Sequence, residues 1–288
     1  MNRVNTSILS EHKFIQMRDE VELHAEILER DCSCWLIVTH GIGEHLKRHL
    51  YLKELFSQNF NILFYDLRGH GRSLGESAYI SDFEIFYHDL HELIHFLSNR
   101  YKMKRFKLFG HSMGALITSG YIQNFVDSSF YPETIFLSLP PVGLPGFLGE
   151  ALNGTPLGLI DAFTKFPYSL KIPGMVNLDN LSHDSRIKEE FFEDDLTCKK
   201  LHSKLLLELV KATRQVFSKA LKPQCPAYVT YGSEDKIISP EAIELYFSDV
   251  EKFFTIKKFS GAYHEIHNEV EKYRRPYFSF LKDSLLNE

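Results

Sequence analysis

Cysteine is scarce in this chain and tryptophan nearly absent: 288 residues hold four Cys and one Trp. Cys32 and Cys34 stand as C-x-C, and Cys198 and Cys225 are isolated. Without a C-x-x-C pair there is no zinc-ribbon spacing, and no metal is implied. All four read as free thiols of a reducing compartment. No run approaches the ~18 apolar residues that cross a bilayer. The first residues carry one early Arg and then polar side chains, with no apolar stretch of the secretory kind. The expectation is a cytoplasmic protein. An excess of charge is missing too: 33 Lys and Arg against 38 Asp and Glu leave a net charge of -5. That balance gives no footprint for a nucleic-acid partner. Internal repeats and low-complexity segments are also absent.

What the chain does have is a large apolar inventory. Hydrophobic residues make up 44% of it, and Phe (24) and Tyr (14) dominate the aromatics. That suffices for one large domain, or a domain with an insertion. Two strands open the chain, Phe14 to Met17 and Val21 to Leu28. The second alternates Val21, Leu23, Ala25 and Ile27 with polar neighbours, as a half-exposed strand would. Continuous apolar runs at 34–38, 61–65, 107–109 and 134–139 read as strands buried on both faces. Helical patterns separate them: 46–58, then a helix capped by Ser81 with Glu84 completing the box, then the stretch after residue 112. Strand and helix alternate, the order of a mostly parallel sheet flanked by helices. The pattern breaks from about Pro141 to Lys222. Gly and Pro punctuate large apolars there, among them Leu144, Phe147, Leu148, Leu152, Leu157, Leu159, Ile160, Phe163 and Phe166, and 186–221 looks helical. This strand-free stretch predicts a helical cap, 141–222, inserted between core segments 1–140 and 223–288. Strands resume at 227–231 and 253–259; Lys257 and Lys258 suit the second to a sheet edge.

Gly110-His111-Ser112-Met113-Gly114 lies between the strand and the helix at the centre of this pattern. G-x-S-x-G is a nucleophile elbow: a sharp turn that presents the serine hydroxyl above the sheet. Serine needs a base near neutral pH, and the base needs an acid to hold its tautomer. In hydrolases of this kind the order along the chain is Ser, acid, His. Asp235 follows the strand 227–231, and His264 follows the strand 253–259. All three fall at carboxyl ends of strands, where open α/β sheets place their sites. Glu234 and His267 are neighbouring decoys. The oxyanion hole needs two backbone N–H groups. Met113 follows the nucleophile, and Ile42 in His40-Gly41-Ile42-Gly43 is the expected second donor.

These motifs together resemble the monoacylglycerol lipase and lysophospholipase branch of the serine α/β-hydrolases. His40 to His45 with Arg48 resembles that family's H-G-x-G-E-H-x-x-R-Y loop. Asp66 to Ser73 resembles its D-x-R-G-H-G-x-S segment, and Gly110 to Gly114 its G-H-S-M-G elbow. Gly232 to Asp235, and His264-Glu265 with Asn268-Glu269, resemble its acid and histidine loops. The resemblance runs from about residue 11 to 283 and implies the α/β-hydrolase fold, with a sheet of about eight strands. It implies Ile42 and Met113 as oxyanion donors, Glu44 and Arg48 at the polar end of the substrate pocket, and a cap over an acyl tunnel. His49 stands where Tyr is usual, Ala115 where a third Gly is common, and His183 where the cap often has Arg. For Asp66, Arg68 and His70 a structural loop role is expected.

The expected activity is hydrolysis of monoacylglycerols or lysophospholipids through an acyl-enzyme on Ser112, without metal or organic cofactor. The partner is a small lipid ester, and the cap leaves room for peripheral contact with a membrane. A short-chain esterase, thioesterase or aminopeptidase would use the same triad.

Overall fold

An eight-stranded sheet organises the computed structural model, which describes residues 9–146, 154–165, 169–174 and 177–286. Its strands are β1 (Leu9–Gln16), β2 (Glu22–Glu29), β3 (Cys34–Thr39), β4 (Asn61–Tyr65), β5 (Arg105–His111), β6 (Thr134–Ser138), β9 (Ala227–Gly232) and β10 (Thr255–Phe259). They lie in the order β1-β2-β4-β3-β5-β6-β9-β10. β1–β2 and β2–β4 are antiparallel, and every other pairing is parallel. β3, β4 and β6 are buried at every position, as their unbroken apolar runs require. β10 is an edge strand, where Lys257 and Lys258 deter pairing with another chain.

The helices are α1 (Tyr51–Phe56), α2 (Glu84–Tyr101), α3 (Met113–Asn124), α4 (Leu157–Thr164), α5 (Ser185–Glu193), α6 (Ser203–Phe217), α7 (Pro240–Asp249) and α8 (Glu271–Leu286). α3 is buried from Met113 to Ile122. A helix without a polar face belongs in an interior, and this one runs directly off the central strand β5.

Several expectations are corrected. β2 is not half-exposed: His24 and Glu26 are also buried, because His24 bonds Asp66 and Glu26 bonds Lys53 and Ser10. The helix expected at 46–58 is a 3-10 turn at Leu46–His49 followed by the short α1. Ser81 does not cap α2. The helix starts three residues later, and Asp82 Oδ1 accepts the Glu84 N–H at 3.0 Å. The segment 141–222 is not free of strands. β7 (Lys171–Pro173) and β8 (Lys200–His202) form a small antiparallel pair beside α4, α5 and α6. Phe147, Leu148, Leu152 and Phe166 lie outside the described residues.

Asp66, Arg68 and His70 brace the loop after β4. Asp66 accepts N–H groups of Leu46 and Arg72, at 2.8 and 2.9 Å. Arg68 bridges Asp19 and Asp89, and His70 Nδ1 lies 3.0 Å from the Arg68 carbonyl. All four cysteines are free thiols. Among the described residues no helix is long and apolar enough to cross a membrane.

Candidate active site

Ser112 sits between β5 and α3 with φ 50° and ψ −118°, a left-handed conformation that a non-glycine residue adopts only under strain. The flanking glycines make the turn feasible. A Cβ on Gly114 would stand 2.2 Å from the Thr39 carbonyl oxygen, and one on Gly110 would stand 2.4 Å from that of Gly114. The Ser112 N–H donates to the Ser138 carbonyl at 2.8 Å, so β6 locks the elbow from the side.

The loops after β9 and β10 bring the other two residues to the serine. His264 Nε2 lies 3.1 Å from Ser112 Oγ, and His264 Nδ1 lies 2.7 Å from Asp235 Oδ2. The other Asp235 oxygen accepts N–H groups of Ile237 and Ile238, at 2.7 and 3.1 Å. These bonds fix the carboxylate, and Asp235 is buried while Glu234 is exposed. Burial alone would lower the His264 pKa. The Asp235 carboxylate beside it, joined by Glu265 and Glu44, outweighs that effect and holds it above the ordinary 6.5. His111 and His267 are buried without such a partner, and burial pushes both well below the usual range. Among the described residues, the decoy His267 has no hydrogen-bond partner on either ring nitrogen.

Ser112 stands where two cavities meet. The smaller, about 160 Å³, is lined by Gly41, Ile42, Glu44, Phe191 and Glu265 among others. The larger, about 440 Å³, takes Leu206, Leu209, Val210 and Thr213 from one stripe of α6, with Met113 and Leu144 opposite. Ile42, Ser112, Leu201 and Ile237 border both. The i, i+3, i+4, i+7 spacing on α6 aims one apolar face into the larger cavity. Leu205, Ala212 and Val216 are buried in the core on another. Phe163, one of the large apolar residues of the cap segment, is 60% exposed and borders neither cavity.

Glu44 is buried and lines the smaller cavity. Arg48 stands one layer behind it. Its Nη2 donates to Glu265 Oε2 at 2.5 Å, its Nε lies 3.4 Å from Glu44 Oε2, and its guanidinium covers the Phe191 ring at 5.1 Å. Sequence reasoning missed how the segment after β6 holds this loop. The Cys198 N–H donates to the Gly43 carbonyl at 2.8 Å, and His45 Nε2 lies 2.9 Å from Asp194 Oδ2. It also missed the ring cluster of His49, His111 and His267 behind the site. Those three positions are far apart in the chain, and no local pattern joins them. The only signal was His49 itself, at a place where tyrosine is usual.

The sequence model of one family, described as serine aminopeptidase S33, matches residues 33–271. The chain is 25% identical over 245 residues to an uncharacterized abhydrolase domain-containing protein of Dictyostelium discoideum. That match covers 81% of this chain and 24% of the other. Similarity to the monoglyceride lipase of Rattus norvegicus is 26% over 242 residues, covering 82% of this chain and 76% of the relative. Among solved structures, a soluble variant of Saccharomyces cerevisiae monoglyceride lipase superimposes with a TM-score of 0.79. It is 17% identical, with 98% of this chain and 96% of that one covered, a likeness of fold.

Proposed function

The chain belongs to the serine aminopeptidase S33 family of α/β-hydrolases, within its monoacylglycerol lipase branch, and is a serine ester hydrolase; from that premise we propose that it cleaves monoacylglycerols or lysophospholipids at Ser112. The observation that carries this reading is the position of Ser112 Oγ. It lies within reach of His264 and at the junction of a small cavity holding a buried carboxylate and a larger apolar one. An acyl chain fits the apolar side and a hydroxylated leaving group the polar side.

In the proposed reaction His264 Nε2 takes the Ser112 proton as Oγ attacks the ester carbonyl. Asp235 holds His264 Nδ1–H and stabilises the imidazolium. The N–H groups of Ile42 and Met113 receive the developing oxyanion; Met113 opens α3, where first-turn N–H groups lack helical acceptors. His264 then protonates the departing alcohol, and water releases the fatty acid from the acyl-enzyme. Glu44 bounds the leaving-group side, and Arg48 backs it from one layer behind. Residues 141–222 act as a cap over core segments 1–140 and 223–288. Leu159, Phe163 and Leu170, each more than half exposed, give that cap apolar outer side chains suited to a lipid interface.

The test is a panel of monoacylglycerols, lysophospholipids, thioesters, acetates and aminoacyl amides with wild type and Ser112→Ala. The lipid esters are expected to lead, and Ser112→Ala to lower kcat by roughly 10⁴–10⁶-fold. A lead by aminoacyl amides or short acetates would replace the lipid reading.

A further inference from the structure

The loop that carries Ile42 is held from behind by a buried pair, Glu44 and His49, that transfers no proton in the reaction above. Glu44 Oε1 accepts the Gly41 N–H and, at 2.9 Å, the Nε2–H of His49. A Cβ on Gly41 would stand 2.9 Å from that oxygen and 3.1 Å from Ser112 Cβ. Gly41 is thus wedged between the nucleophile and the carboxylate, and the peptide that ends in the Ile42 N–H starts there. His49 is fully buried, its ring set among Tyr51, Phe109, His111 and His267. Its Nδ1 has no hydrogen-bond partner among the described residues. Packing alone would favour an apolar ring here, since an orphaned buried nitrogen is destabilising. What the imidazole adds is one donor, aimed at Glu44.

Glu44 has a competing cation. Arg48 Nε lies 3.4 Å from Glu44 Oε2 and has no hydrogen-bond partner of its own among the described residues. Without the His49 donor, the carboxylate is free to turn toward Arg48 and release the Gly41 N–H. We infer that His49 is a positioning residue for the oxyanion hole, acting through Glu44 Oε1 on the Gly41–Ile42 peptide. The inference rests on the reading of Ile42 as an oxyanion donor. It assigns a task to a residue that departs from the family's usual tyrosine, and to the Glu44 oxygen facing away from Arg48.

The test uses the purified full-length chain and a short acetate ester, with active sites titrated by a fluorophosphonate and folding followed by circular dichroism. His49→Phe keeps the ring and removes the donor. Losing one oxyanion donor outright costs about 10²–10³-fold, so a mispositioned one should lower kcat about 10- to 100-fold. KM should stay within about threefold, because ground-state binding is unaffected. His49→Gln, whose amide nitrogen reaches the place of Nε2, should recover most of kcat. If His49→Phe does not fold, His49→Asn takes its place: its amide falls short of Glu44, so it must lose kcat where Gln keeps it. A merely structural role would lower the melting temperature without this split between Gln and Asn. Wild-type kcat in His49→Phe, or equal losses in Gln and Asn, would overturn the inference alone. Esterase activity that survives Ser112→Ala would instead remove the reading of the site, and the inference with it.

Discussion

At the scale of the residue, His264 decides the pH behaviour. Its pKa is raised above 6.5 by Asp235 against the opposing effect of burial. The raised value keeps the imidazolium present above pH 6.5, and the base is then lost on the acid side. The acid limb of kcat/KM is therefore expected with its midpoint above 6.5. In Asp235→Asn only Glu265 and Glu44 still oppose burial, so the limb should move to lower pH while kcat falls about 10⁴-fold. Glu234→Gln should leave both unchanged, since Glu234 is exposed. A pH–rate profile of the three proteins checks this; a limb that stays in place in Asp235→Asn would separate Asp235 from His264. The same pair has the opposite effect on stability. The His264⁺–Asp235 contribution is complete below the unfolded pKa and is lost as pH rises through the folded one.

At the scale of the element, the β5–Ser112–α3 unit was legible in the sequence because its constraint is local. Gly110 is demanded by the Gly114 carbonyl four residues on, and Gly114 by the Thr39 and His40 carbonyls at the end of the adjacent β3. Gly114→Ala should cost about 3 kcal/mol or more through overpacking against the Thr39 and His40 carbonyls. Thermal unfolding should show a drop on the order of 10 °C. The strand end that carries Asp235 was legible from an apolar run followed by a polar loop, and the one that carries His264 from a β-rich edge segment that stops at Ser260-Gly261. The short pair β7–β8 was not legible, because three residues carry no period. Nor was the burial of His24 and Glu26, which depends on Asp66 and Lys53 far along the chain. The α6 stripe gives a prediction at this scale. Leu209→Trp narrows the larger cavity, and losing room for two methylenes costs up to about tenfold at ~0.8 kcal/mol each. Long-chain esters should lose that much kcat/KM and acetates within about threefold of nothing; a uniform loss would detach α6 from acyl binding.

At the scale of the whole molecule, Arg68 ties together three distant segments: the β1–β2 turn through Asp19, the loop after β4, and α2 through Asp89. Asp89 is 2% exposed, and burial holds its pKa up to about 6 even with Arg68 beside it. Arg68→Ala leaves that carboxyl buried and unpaired, at a cost of about 3–5 kcal/mol. The sign follows from the raised value. Stability from this group is complete below pH 3.8 and is lost as pH rises through about 6. The deficit of Arg68→Ala should therefore be larger at pH 8 than at pH 5 in denaturant melts; an equal deficit would mean that Asp89 titrates normally.

The central claim is that a lipid ester acylates Ser112. Asp235→Asn slows the enzyme, so a monoacylglycerol reaction quenched in acid within the first turnovers should trap the acyl-enzyme for mass spectrometry. The account predicts a mass gain equal to the acyl group less one proton, confined to the peptide containing Ser112 and absent from Ser112→Ala. Fatty-acid release with the acyl group on another residue, or with no trapped adduct and undiminished turnover in Ser112→Ala, would contradict it.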